Sequence, residues 1–578
     1  MCTGLDELKS YSSYASNSYD NVLNVESLET TVPKQADYFI HSEMTAIMAK
    51  PKSPSLFVGL SNFFQRFSFT TQVAILLSAT SAGSFPAPQM SGSDHGTTDV
   101  LNYTTAEAGN PFVDTWYADP DTAIYDGEYW VFPTSSYTYE EQTYLDAFSS
   151  PDLINWTKHP NILTTADVKW ATKAVWAPAP AFRNGKYYLY FGANDIQEGE
   201  AEKGVVGGIG VAVADEPDGP YIDALGRPLI GEYHNGAQPI DQDVFIDDDG
   251  QAYIYYGGHR FANVAKLNED MISLGKFDDN TTFKNITPTN YVEGPQMIKR
   301  NGIYYFMWSE GGWGGPDYSV SYAMANSPLG PFEKKAKILQ QDSAVAKSSG
   351  HNGIIHIPDT DIYYIVYHRR SLSESAANHR VLAYDRMYFN EDGTIAPIRM
   401  LVKDNFADGN MIGWKSYEGQ WEVVDQRLEV DMNTEAMALL DTNFTDLVFD
   451  ATISLTDDQD ESGSAGLVFR VNTTGTVGLN GYYVGLSPSG ILSLETFQAD
   501  TRMTIAKAST LETRQSTDTH ISIRVTATGK DIKVYVNDLG TPLITVVDST
   551  FVSGANGVRV VEMAASFGSV SILKPDQL

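Results

Sequence analysis

Tyr291-Val-Glu-Gly-Pro-Gln-Met-Ile-Lys-Arg-Asn-Gly-Ile-Tyr-Tyr-Phe-Met-Trp308 is the stretch that decides the fold of this chain. It opens on one carboxylate, Glu293, and continues as two apolar, aromatic arms joined by Asn301-Gly302. Asn-Gly suits a two-residue hairpin because both turn positions need positive φ, so the stretch reads as two buried strands with Glu293 at their mouth.

The same pattern recurs. A polar or aromatic residue, a strand, a turn and an aromatic strand appear at Asp119…Asp126-Gly127…Tyr129-Trp130, Trp176…Asn184-Gly185…Tyr187-Tyr188 and Asp241…Asp249-Gly250…Tyr253. They appear again at Glu293…Asn301-Gly302…Tyr304-Tyr305 and at His351…Asp359-Thr-Asp361…Tyr363-Tyr364. The leading positions are 57, 65, 52 and 58 residues apart. A period near 50 with several strands per repeat is the signature of a β-propeller, and five copies predict five blades over residues 108–403. The Pro/Gly stretches at 148–156, 214–221 and 325–332 supply outer-strand turns.

From residue 404 the composition shifts. Short alternating strands, among them Leu447–Ile453, Ala465–Arg470, Tyr482–Gly485, Ile521–Val525, Ile532–Val536 and Gly557–Val561, follow one another without a helical segment. That spacing predicts a jelly-roll β-sandwich over 404–578, and the whole is all-β. No acid/base constellation stands out in this half.

Composition narrows the function. With 39 Lys+Arg against 73 Asp+Glu and a net charge of −34, the chain lacks the positive clusters that nucleic acid or an anionic membrane requires. Hydrophobic residues at 42% and aromatics at 12% suffice for large cores, and Cys2 alone forms no disulfide framework. Residues 1–107 lack periodicity, but within 48–82 the apolar run Thr71–Ala82 follows Lys50, Lys52 and Arg66. This is the layout of a secretory signal peptide set far from Met1. Two readings stay open, translation from Met48 or an uncleaved anchor, although the run is short for a span of about 20 residues. Sequons at Asn102, Asn155, Asn280, Asn285, Asn443 and Asn472 add to the expectation of a secreted glycoprotein, with no membrane partner in its mature form.

In a propeller the innermost strand of each blade starts near the central axis, so Asp119, Trp176, Asp241, Glu293 and His351 are expected to converge. Three carboxylates in repeat phase match what glycoside hydrolysis needs, namely an acid, a base and a group that tunes them. Taken singly, Asp119 and Asp241 also fit the ordinary role of Asp at turns. Two other motifs are declined: Gly204-Val-Val-Gly-Gly-Ile-Gly210 leads into a strand rather than a helix, and Asp247-Asp-Asp-Gly250 lacks the alternating ligands of a calcium loop.

These residues also carry a resemblance. Trp116-Tyr-Ala-Asp119-Pro, Trp176-Ala-Pro178, Ile240-Asp241, Val292-Glu293-Gly-Pro295 and Gly350-His351-Asn resemble, in order and spacing, glycoside hydrolase family 43. Gly236-Ala-Gln-Pro-Ile-Asp241 and Trp308-Ser-Glu-Gly-Gly-Trp313 look most like its β-xylosidase branch. The resemblance implies an inverting exo-glycosidase acting on terminal xylose of xylan, arabinoxylan or their oligosaccharides, with α-L-arabinofuranosidase side activity. Arabinan- or galactan-acting hydrolases of the same fold, and a non-catalytic sugar-binding propeller, are its rivals. It implies Asp119 as general base, Glu293 as general acid and Asp241 as the group that orients the acid and raises its pKa. Inversion requires acid and base about 6.5–9.5 Å apart.

Arg380 matches a late arginine of the family that reaches the sugar, against the alternative of a surface charge pair. Trp176 and Trp313 would wall the sugar or simply pack. No cofactor is implied for the chemistry, but a structural calcium near the axis is, approached by His351 through water; a satisfied buried histidine without an ion is the other reading. Residues 404–578 resemble concanavalin-like sandwich modules, which implies polysaccharide binding or a structural cap.

Overall fold

The computed structural model describes residues 109–455, 463–473, 477–499, 501–510 and 520–577, with the side chains of 432–434 left aside. The signal-like stretch and Asn102 lie outside them. Among the described residues no helix is long and apolar enough to cross a membrane.

Five antiparallel sheets form the propeller. Four have four strands each, beginning at Tyr117–Tyr125, Trp176–Arg183, Asp243–Ile246 and Glu293–Arg300. The fifth has three, Lys347–His356, Tyr363–Arg370 and Val381–Met387. The hairpin read from Tyr291–Trp308 is present: Arg300 pairs with Ile303 around Asn301-Gly302, whose φ values are 51° and 78°. Asp126-Gly127 and Asn184-Gly185 make the same two-residue turns with both φ positive. Gly250 N–H donates to Asp247 O at 2.8 Å, so that acidic run is a hairpin turn, and Gly208–Ala214 after the glycine-rich motif is a strand.

The ring closes through the segment just before the first blade. Tyr117 N–H donates to Arg380 O at 2.9 Å. The Asn110 side chain pairs with Tyr384 on both sides: Nδ2 donates to Tyr384 O at 2.9 Å, and Oδ1 accepts Tyr384 N–H at 3.1 Å. Asn110 thus satisfies backbone groups that a fourth strand would otherwise take.

Residues beyond the fifth blade form one nearly closed, sandwich-like sheet of thirteen strands. Arg427–Phe444 and Gly554–Leu573 pair along much of their length and carry the sheet round from one layer to the other. All six strands expected from the sequence fall within strands of this sheet. One buried apolar cluster runs from Tyr305, Ile338 and Ile365 of blades four and five through Phe406 and Trp414 into Leu467 and Val560 of the sandwich. Polar links reinforce it, with Lys574 Nζ to Asp342 at 2.6 Å and Asn443 N–H to Ala344 O at 2.9 Å.

Phe406 is fully buried in this shared cluster. Phe406→Ala is expected to lower stability by about 3–5 kcal/mol. Because the cluster is continuous, calorimetry should show propeller and sandwich melting together; two separated transitions in the unmodified chain would contradict that.

Candidate active site

The heads of the inner strands share a backbone device. Asp119, Ala177, Asp241, Gly294 and His351 all have positive φ, between 42° and 60°. Register shifts mark bulges after Ala118, Trp176, Glu293 and Gly350. A bulge inserts one unpaired residue and re-aims its neighbours, so it turns side chains at the strand head away from the sheet faces. Gly294 meets this demand without a Cβ; an added one would lie 3.1 Å from Ser309 Oγ and 3.2 Å from His351.

The result is a cavity of about 290 Å³ lined by all seven residues singled out from the sequence: Asp119, Trp176, Asp241, Glu293, Trp313, His351 and Arg380. Asp119 is 9% exposed, and its Oδ1 receives Arg380 Nη1 at 2.9 Å and lies 3.3 Å from His351 Nδ1. Its backbone N–H donates to His368 Nδ1 at 3.1 Å, which makes that histidine an acceptor and therefore neutral. Burial, and then Arg380, push the His368 pKa down to about 3. Burial works to raise the Asp119 carboxyl, but Arg380, His351 and the hydrogen bonds outweigh it and hold the group well below the usual carboxylate range.

Glu293 and Asp241 go the other way. Burial raises Glu293, against His351 and the hydrogen bond that Tyr318 Oη donates to its Oε1 at 3.0 Å. Asp241 is pushed up to about 8 by burial, with Glu293 and Asp119 adding repulsion and His351 opposing. Asp241 Oδ2 accepts Gly294 N–H at 3.2 Å, which ties it to the backbone beside Glu293. His351 Nδ1 is 3.8 Å from Asp241, and although burial acts to lower it, Asp119 and the other carboxylates raise it to about 9. The site therefore sets one carboxyl, Asp119, held low beside Arg380 and His351 against two, Glu293 and Asp241, pushed up by burial.

Arg380 is buried, not a surface charge. Its Nε donates to Ser136 Oγ at 3.0 Å and its guanidinium lies 5.1 Å from the Trp313 ring. Among the described residues no partner takes Nη2, which leaves that nitrogen for the cavity. Trp176 is buried, meets Tyr139 edge-on at 4.8 Å, and rests over Gly192. His351 does not fit direct ligation of calcium, because an imidazolium facing carboxylates offers no lone pair and calcium takes oxygen. Two buried oxygens further along the inner strands, Gln296 Oε1 and Asn352 Oδ1, have no hydrogen-bond partner and are donors of the kind such an ion uses. No step of the reaction is routed through such an ion.

Sequence reasoning missed Tyr139, Asp195, Gln197, Gln238 and His259, which line the same cavity. Three of these fall inside the longest repeat interval, the 65 residues between Trp176 and Asp241, and that excess length was the available signal.

A five-bladed propeller whose inner strands bring two buried carboxyls and a half-buried third, one held low and two pushed up, into a sugar-sized cavity defines a glycosidase. The chain belongs to the glycosyl hydrolases family 43, whose sequence pattern matches residues 108–395. It is similar to the β-D-galactofuranosidase xynD of Aspergillus niger, 47% identical over 324 residues that cover 54% of this chain and 91% of that protein. It is also similar to an arabinoxylan arabinofuranohydrolase of Paenibacillus polymyxa, 29% identical over 53% of this chain and 52% of that protein. A xylosidase/arabinosidase 43A of Humicola insolens is 28% identical over 48% of this chain and 95% of its own length.

A Cβ on Gly192 would stand 2.5 Å from Trp176 Nε1. Gly192→Ala is thus expected to displace the indole, altering tryptophan fluorescence and weakening turnover about 10- to 100-fold through misplacement of the sugar. An unchanged spectrum with unchanged KM would remove Trp176 from the binding wall.

Proposed function

We propose that the protein is an inverting exo-glycosidase releasing one terminal sugar per event, with Glu293 as general acid, Asp119 as general base and Asp241 setting the protonation and position of Glu293. The opposite electrostatic fates of Asp119 and Glu293 in one cavity carry this reading. Asp119, kept ionised by Arg380 and His351, takes a proton from water as that water attacks the anomeric carbon. Glu293, kept protonated by burial, gives its proton to the leaving oxygen as the glycosidic bond breaks. Burial, with the charge of Asp119 adding to it, raises Glu293, and Asp241, which accepts the Gly294 N–H next to Glu293, is assigned to position it. A purely sugar-binding propeller has no use for this division.

For the sugar we favour terminal xylose or α-L-arabinofuranose from xylo-oligosaccharides or arabinoxylan, a reading supported by the names of the Paenibacillus and Humicola relatives. The extent of likeness to the galactofuranosidase favours a second reading, a β-D-galactofuranoside. The two furanoses share ring configuration and differ by one CHOH in the exocyclic chain. We also infer an extracellular setting: the sequon residues Asn155, Asn280, Asn285, Asn443 and Asn472 are all exposed.

NMR of the products from arabinoxylan, xylo-oligosaccharides and aryl furanosides should show a single released sugar of inverted anomeric configuration; retention, or release of internal fragments only, would overturn the reading. Glu293→Ala is expected to lower kcat about 10²- to 10⁴-fold on poor leaving groups. In the pH profile of kcat/KM, the base must be ionised and its pKa is depressed, so the acid limb lies well below the ordinary carboxylate range. The acid must be protonated and its pKa is raised, so the alkaline limb lies above that range. Arg380→Gln removes a cation from Asp119 and should move the acid limb upward; a stationary limb would separate Arg380 from the base. Endoglycosidase treatment of the protein from a eukaryotic host should reduce its mass if the sequons are used, and an unchanged mass would count against the extracellular assignment.

A further inference from the structure

A second set of polar side chains lines the cavity and has no part in the chemistry above. Asp195 Oδ1 accepts two amide protons, from Gln197 Nε2 at 2.9 Å and Gln238 Nε2 at 2.9 Å. Gln238 is only 2% exposed and also donates to Ile196 O at 3.0 Å, so its amide is fixed from both sides. One oxygen of the Asp195 carboxylate is therefore locked, while among the described residues nothing donates to Oδ2. Asn194 and Asp195 both have positive φ, 67° and 46°, as do His259, which lines the same cavity, and its neighbour Arg260, 54° and 73°. Non-glycine residues held this way mark positions that the surrounding structure over-determines.

Asp195 also stands apart from the reacting centre. Its side chain bonds Gln197 and Gln238, and among the described residues none of Asp119, Asp241, Glu293, Arg380 and His351 bonds it. The anomeric carbon has to lie between Glu293 and the water on Asp119, and the ring hydroxyls next to it then fall near Arg380 and His351. A free carboxylate oxygen outside that group meets a more distant part of the substrate. Such an oxygen has two lone pairs left, enough for two hydroxyl protons. A xylopyranose has no exocyclic carbon to offer, an arabinofuranose has one primary hydroxyl, and a galactofuranose has a vicinal diol.

We infer that Asp195, held by Gln197 and Gln238, is a specificity-determining residue that recognises vicinal hydroxyls of the substrate remote from the anomeric carbon. This rests on the glycosidase reading above. The hydroxyls belong either to the exocyclic chain of a terminal hexofuranose or to the leaving-group sugar, and one set of substrates separates the two.

The test measures kcat and KM of the full chain and of Asp195→Ala on aryl β-D-galactofuranoside, aryl α-L-arabinofuranoside and an arabinofuranosyl disaccharide. If Asp195 reads the exocyclic chain, the kcat/KM ratio of galactofuranoside to arabinofuranoside falls about 10- to 100-fold, the scale of hydrogen bonds to a charged acceptor, with most of the change in KM. If it reads the leaving group, the ratio of disaccharide to aryl arabinofuranoside falls instead. Each ratio comes from one preparation, so partial misfolding cancels, and Asp195→Asn, which keeps the shape, should fall between the two. An equal loss on all three substrates, or no loss on any, overturns the assignment while leaving the function proposed above intact. A parent chain that turns over none of the three removes both furanoside readings and overturns this assignment, while release of xylose from xylo-oligosaccharides still tests the function separately.

Discussion

The active site depends on a backbone constraint before it depends on any side chain. At the head of each inner strand one residue is forced into positive φ: Asp119, Ala177, Asp241, Gly294 and His351. A regular strand would send successive side chains to opposite faces of its blade, into the contacts between neighbouring sheets. Register shifts break that alternation in four of the five blades, at the end nearest the axis, and the positive-φ residues stand in the same phase in all five. Such strain is of order 1–3 kcal/mol at each non-glycine position and persists because the blade beneath is fully paired.

Once the carboxylates are brought together, the problem becomes one of charge. Three acids lining one cavity, two of them buried, do not all ionise without offsetting cations. Among the described residues two cationic groups meet them, Arg380 and His351; Arg380 bonds Asp119, and His351 lies 3.3 Å from Asp119 and 3.8 Å from Asp241. Asp241 receives a backbone N–H and Glu293 a phenol, partners too weak to offset burial. The asymmetry that separates a base from an acid is thus an asymmetry of neighbours, made by the fifth blade, which contributes His351, His368 and Arg380 and faces the first.

How much of this was legible in the sequence follows from what repeats. Repeat phase located Asp119, Asp241, Glu293 and His351 because each stands at the same point of a strand whose turn and aromatic arm are easy to recognise. Trp313 and Arg380 came from likeness to a family, since neither sits in that phase. The pairing of Arg380 with Asp119 was not legible, because it joins residues 261 apart through the closure of the ring. The sandwich strands could be read from alternation, but the apolar cluster that joins them to blades four and five could not, since alternation says that a face is buried and not what buries it.

Asp195 and Gln197 lay beyond sequence reading, and Gln238 stood in a recognised stretch without a role, for a different reason, which bears on why one fold serves several sugars. The carboxylates act at the anomeric carbon, and that chemistry is common to xylosides, arabinofuranosides and galactofuranosides. Residues in repeat phase are tied to the axis and cannot distinguish these sugars by what lies far from the reacting bond. Discrimination has to come from connections that leave the repeat, where length and composition vary without disturbing the paired strands. In this chain the longest such interval, from Trp176 to Asp241, supplies the polar wall. On the proposed reading the propeller divides its labour by geometry, with reaction type set where the blades agree and sugar preference set where one of them departs from the others.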